Sequence, residues 1–198
     1  MSATAIREPH VPRASFAALL TILLVGLPAV QLLTGCRAAL PRTTTQPAVP
    51  ADTNAELVEY ISDLPYVTAE SAYRAVYILS NGEIFEDSYE ALVTEMQRDG
   101  LIGHAWDYDP AEFIDRAAVG HLVARACDIR TGLNWQLTGL GRYGYRELVY
   151  RRIAHPSGEY SLISGGEFLG LLARAEEYLH QVGRAPGDRA ELGSEPTP

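Results

Sequence analysis

The chain has 198 residues, of which 47% are hydrophobic, and a formal net charge of −9. That is enough apolar material for one domain of ~100–150 residues plus extensions, and the acidic balance repels phosphate backbones, so no nucleic-acid partner is expected. All 16 basic residues are arginine, which excludes Schiff-base lysine chemistry and the phosphate-loop lysine.

The first 35 residues read as an export signal. A polar start carries Arg7 and Arg13, an apolar run follows from Phe16 to Leu33, and small residues precede a cysteine. A charged start, an apolar middle and a small-residue cut site form the signal-peptide pattern. The sequence Leu33-Thr34-Gly35-Cys36 resembles the lipobox of bacterial lipoproteins. The resemblance implies that Cys36 takes a diacylglyceryl group and that a lipoprotein signal peptidase cuts between Gly35 and Cys36. It also implies acylation of the new amine by a fatty acid such as palmitate. A thiol suits that position because it alone among side chains is nucleophilic enough near neutral pH to form the thioether. Two or more acyl chains then hold stably in a membrane. The rival reading is an uncleaved membrane helix of ~20 residues, which Pro28 and Gln31 weaken. Both place the rest of the chain outside the cytoplasm, in the cell envelope, and neither distinguishes inner from outer membrane.

Residues 36–53 read as the lipidated cysteine and a flexible tether, since the Pro/Thr-rich run from Pro41 to Pro50 has little to bury. Residues 54–182 read as an all-α domain of five to six helices, and 183–198 as a disordered Pro/Gly/Glu-rich tail. In chain order, Glu56 to Ile61 predicts a short helix. Thr68 opens a second, with Ala72, Ala75, Val76 and Leu79 inward. Asp87 and Glu90 have capping-box spacing ahead of a third, with Tyr89, Leu92, Val93 and Met96 on one face and Gly100 as its stop. Asp115 opens a fourth, with Val119, Leu122, Val123 and Ala126 apolar. The run Gly139 to Gly144 reads as a flexible lead-in to a helix over Tyr145 to Ile153. Ser164 and Glu167 form a second capping-box pair before the stripe Phe168, Leu171, Leu172, Ala175 and Leu179.

These segments are related. Ile114 to Ala126 aligns without gaps on Ile163 to Ala175, an offset of 49 residues, and a fainter copy begins at Val67, 47 residues before Ile114. Each copy follows a shorter helix, around Glu56-Leu57-Val58, Ala91-Leu92-Val93 and Glu147-Leu148-Val149. The chain thus reads as three helix–loop–helix units that bury their apolar faces against one another. The alternative is that any capped amphipathic helix of this length shows the same spacing. The middle unit, with Tyr89-Glu90-Ala91-Leu92, Gly100-Leu101-Ile102, Tyr108-Asp109-Pro110 and Ile114-Asp115-Arg116-Ala117, resembles a surface-layer homology (SLH) repeat. In that family three repeats form a helical prism that binds cell-wall polysaccharide. None of the three units has the full Thr-Arg-Ala-Glu start of the family, and Arg116 is the single arginine at the matching place.

The remaining motifs read as structure. Trp106-Asp107-Tyr108-Asp109-Pro110 is a turn over a packed indole, because the further oxygens of a calcium loop are missing. His104, His121, His155 and His180 have no metal-ligand spacing, so neither a metal nor another cofactor is expected. Cys127 reads as a small buried hydrophobe. Arg142, Tyr145, Arg146, Tyr150, Arg151 and Arg152, with Arg116, form the candidate partner surface, since planar guanidinium groups and tyrosine rings suit sugars and anionic polymers. No catalytic residues are assigned. The expected function is a membrane-anchored, non-catalytic envelope module that binds cell-wall polymer. Protein–protein interaction or envelope assembly is the rival, and an enzyme a distant third.

Overall fold

The computed structural model describes residues 47–129 and 132–188. The expected leader 1–35 with its Gly35–Cys36 junction, the expected tether through Gln46, residues 130–131 and the residues from 189 lie outside the described residues. Among the described residues the fold is all-α, with seven helices and two isolated β-bridges. The helices are α1 Asn54–Ser62, α2 Ala69–Asn81, α3 Tyr89–Arg98, α4 Arg116–Ala126, α5 Leu133–Thr138, α6 Gly141–Tyr150 and α7 Gly165–Gln181. None is long and apolar enough to cross a membrane.

Short polar side chains start five of them. Thr53, Thr68, Ser88, Asp115 and Ser164 each accept the amide three residues on, and each such cap stabilises its helix by about 1 kcal/mol. Two of these starts correct the sequence reading. The cap of α3 is Ser88, because Asp87 turns its carboxylate back to the Ser88 amide at 3.0 Å. At α7, Ser164 accepts from the Glu167 amide at 3.3 Å, but the Glu167 carboxylate binds Arg116 instead of reaching back. The one box with both arms is Thr68 with Ser71.

The predicted stripes face one core. Leu57, Ile61, Val76, Leu92, Met96, Val119, Leu122, Leu148, Phe168 and Leu171 are all buried in it. Burying one such side chain fully contributes ~1.5–3 kcal/mol. The packing order is cyclic: α2 lies on α3, α4 on α6 and α7 on α1, while α2 also touches α4 and α7. The second helix of each predicted unit therefore rests on the first helix of the next.

The aligned positions meet at the centre. The Val67 amide donates to the Ile163 carbonyl at 3.0 Å, and the Ile114 amide donates to the Val67 carbonyl at 3.1 Å. All three residues are fully buried. Amides in the first helical turn have no partner within their own helix, and here the neighbouring unit supplies one. Ala69 and Glu70 of α2 donate to the carbonyls of Glu112 and Pro110 at 2.8 and 3.2 Å. Arg116 and Ala117 of α4 donate to those of Ser161 and Glu159 at 3.1 and 2.7 Å. From the first pair of bonds to the second, donors shift by 47 positions and acceptors by 49, the offsets of the sequence alignment. Gly165 of α7 donates to the Leu64 carbonyl at 3.0 Å and closes the ring. A side chain at Gly165 would run into the Ile61 carbonyl at the end of α1, so the third unit has glycine where the second has Arg116.

Four expectations are corrected. There are seven helices rather than five to six, because α5 was not anticipated. The Gly139 to Gly144 run is no lead-in: α6 already begins at Gly141. A Cβ on Gly141 would overlap the Ala117 carbonyl, one on Gly144 the Trp135 ring, and one on Gly120 the Tyr145 backbone. These glycines let α4 and α6 touch backbone to backbone. The end of the tether is held, since Val49 packs on the core and Tyr60 donates its hydroxyl to the Pro47 carbonyl at 3.1 Å. The start of the tail is held too, because Arg184 donates to the Cys127 carbonyl at the end of α4, also at 3.1 Å.

Candidate partner surface

The arginine- and tyrosine-rich helix α6 has no side-chain cap. Its place depends on packing: Gly144, Tyr145 and Leu148 are buried against α4, and the opposite face carries Arg146 and Tyr150 to water. Tyr145 belongs to the core and not to the outer surface. It is 1% exposed, and its hydroxyl donates to the His155 carbonyl at 2.8 Å.

The remaining members divide by what holds them. Arg116 is a brace between units. Its Nε donates to Glu167 Oε1 at 2.9 Å and its Nη1 to Ser161 Oγ and the Leu162 carbonyl, each at 2.7 Å. Arg151 is partly held: its Nε meets Glu147 at 2.9 Å and its plane lies 5.5 Å over the Tyr178 ring. Arg146 pairs with Glu159 at 2.6 Å across open surface, and this bond holds the Glu159 carboxyl below its ordinary range. Arg142 lies 4.8 Å from the Tyr143 ring and donates to that hydroxyl. Tyr150 is 82% exposed. Arg152, at φ +62° just past the end of α6, is exposed.

The structure thus brings Arg142, Arg146, Tyr150, Arg151 and Arg152 to one helix and its end, with Tyr143 and Tyr160 nearby. Guanidinium groups and phenols at such a surface are hydrogen-bond donors and stacking planes, suited to hydroxyl-rich or anionic chains. Glu147 and Glu159 neutralise part of the charge, so the surface offers donors more than a strong positive field.

A second cluster lies on another side of α4, and sequence reading missed it. His121 is sandwiched between Trp106, 4.9 Å away, and Trp135, 4.8 Å away and nearly parallel. Tyr73 continues the row to Tyr89 and Trp106, and Arg125 lies over Trp135 at 5.7 Å. His121 is buried and its Nδ1 has no hydrogen-bond partner. Burial, with the Arg125 charge second, pushes its pKa down to about 4. The imidazole is therefore neutral at pH 7. The sequence signal was weak because the rings come from five separate segments and show no local spacing.

The other candidates have structural places. Asp109 closes its turn through the Ala111 amide at 2.9 Å, and Trp106 packs on the core beneath it. Cys127 is buried, and burial raises its thiol to about 12. Among the described residues no cluster of three or more His, Cys, Asp or Glu is placed to hold a metal ion.

Neither the protein-family models nor the curated proteins contain a match to this chain.

Proposed function

We propose that the chain is a lipid-anchored, exported lipoprotein whose helical domain binds a cell-wall polymer without catalysing a reaction. The lipobox-like Leu33-Thr34-Gly35-Cys36 supports the anchor and the envelope location. The backbone bonds that link Val67 to Ile114 and to Ile163, with those from Arg116 and Ala117 to Ser161 and Glu159, support the binding-module reading. Three units joined at equivalent positions suit the SLH-like prism, an architecture for holding polymer. The contact surface is α6 and its end: Arg142, Arg146, Tyr150, Arg151 and Arg152. Arg116 supports it from beneath.

The test is retention of the full-length protein on isolated envelope material. The triple variant Arg146→Ala, Arg151→Ala and Arg152→Ala loses retention while its circular dichroism and melting curve stay close to wild type. Unchanged retention argues for the rival reading, a protein partner, which crosslinking from Arg142 in living cells followed by mass spectrometry would capture. Hydrolysis of a generic ester or glycan by either preparation contradicts the non-catalytic reading.

A further inference from the structure

Helix α5 leaves apolar side chains in water on one face and buries Trp135 on the other. Trp135 is 5% exposed and stacks on His121. Leu133 and Leu137, one turn apart on the same side, are 68% and 74% exposed, and Leu140 just beyond is 45% exposed. A cluster of exposed apolar side chains on one face is a candidate interaction site. From Ile129 to Arg146 the sequence has three arginines and no Asp or Glu, although Asp128 and Glu147 flank the run and Arg146 is paired with Glu159. Arg125 lies over Trp135 beside this face, and Arg142 follows Leu140 by two residues. Apolar side chains edged by arginine are the composition of an interfacial membrane contact.

We infer that the Leu133–Leu140 segment is a membrane-contact element that rests on the anionic surface of the bilayer to which the chain is tethered. The inference rests on the lipid anchor proposed above. Between Cys36 and Pro47, where Tyr60 first holds the chain, it can span at most roughly 40 Å, comparable to the ~35–40 Å across a domain of this size. The segment can therefore reach the surface when the domain turns this face toward the bilayer. Three leucines bind a bilayer only weakly on their own. Tethering makes the second contact intramolecular, at a high effective concentration, so a weak site is occupied. Contact here would also fix which way α6 faces.

The experiment uses the mature protein as isolated from its own membranes, in phosphatidylcholine vesicles with and without phosphatidylglycerol. An environment-sensitive fluorophore is placed on a Leu137→Cys variant and, as control, on a Val58→Cys variant, because Val58 is 51% exposed on α1. Flotation first establishes anchoring. The expected result is a blue-shifted Leu137-site probe quenched by lipid-borne quenchers, several-fold more in vesicles with phosphatidylglycerol, and a Val58-site probe unaffected. Hydrogen exchange on the unsubstituted protein is expected to show slowed exchange at 133–140 on the same vesicles, which covers a labelled variant that fails to fold. A protein that floats while position 137 and its amides remain as exposed as the control overturns this inference alone. A shift that depends on protein density rather than lipid charge assigns the face to a second copy and overturns it as well. Failure to float overturns the anchor and this inference together.

Discussion

The junction of the three units and the α5–α6 segment are built on opposite plans. At the junction the groups are paired across units: the amides of Ala69, Glu70, Arg116, Ala117 and Gly165 find carbonyls of a neighbouring unit, Val67, Ile114 and Ile163 are excluded from water, and Arg116 directs its donors to Glu167, Ser161 and Leu162. Along α5 and α6 one face is fastened, by Trp135, Gly141, Gly144 and Tyr145, while leucines and arginines stand in solvent. The junction accounts for folding. The outer segment has side chains the fold does not need, and these are the ones available to a partner.

That contrast predicts large stability effects at the junction and small ones outside it. The largest is expected for Gly165→Ala, whose methyl meets the Ile61 carbonyl. Backbone has to move, at a cost of about 1–3 kcal/mol, measured as a lower denaturation midpoint. Arg116→Ala removes the donors to Glu167, the part-buried Leu162 carbonyl and the exposed Ser161 hydroxyl and is expected to cost about 2 kcal/mol. Arg116→Lys recovers little of it, since an ammonium cannot reproduce the forked contact.

His121 gives a pH-dependent version of the same test. Its pKa is depressed from 6.5 to about 4 in the folded protein, so the fold favours the neutral ring. Its contribution is complete above pH 6.5 and is lost as pH falls toward 4. At pH 5 the loss is about 2 kcal/mol relative to pH 7.5. A His121→Phe variant keeps a flat ring between Trp106 and Trp135 and loses that part of the pH dependence, as melting temperatures at the two pH values would show. Equal slopes for both proteins contradict the buried neutral imidazole.

The smallest effect is expected on the outer face. Arg146→Ala removes a surface ion pair with Glu159, worth under about 0.5 kcal/mol. Stability is expected to stay near wild type while retention on envelope material falls. A destabilisation comparable to that of Arg116→Ala would move Arg146 into the structural set and remove the contrast.

How much was legible follows the same division. The caps Thr68, Asp115 and Ser164, the inward stripes and the offsets of 47 and 49 were readable because capping and helical periodicity are local, and a repeat can be aligned without knowing what it touches. The pairing of aligned positions across units was implied by the repeat, although its bonds were not. Three kinds of feature were hidden. Glycines at positions 141 and 144 look like flexibility until the neighbouring helix is present to forbid a Cβ. Helix α5 has six residues and no side-chain cap, too short for periodicity to register. The division of the arginines into a brace at Arg116 and surface groups at Arg146 and Arg152 depends on carboxylates and carbonyls distant in sequence, as does the burial of Tyr145.

The functional account depends on one thiol outside the folded domain. Intact-mass analysis of the native protein from its own membranes tests it most directly. The account predicts a chain beginning at Cys36, lighter by residues 1–35 and heavier by a diacylglyceryl group and an amide-linked acyl chain. A mass equal to the full 198-residue sequence, with unmodified sulfur at Cys36, would contradict it.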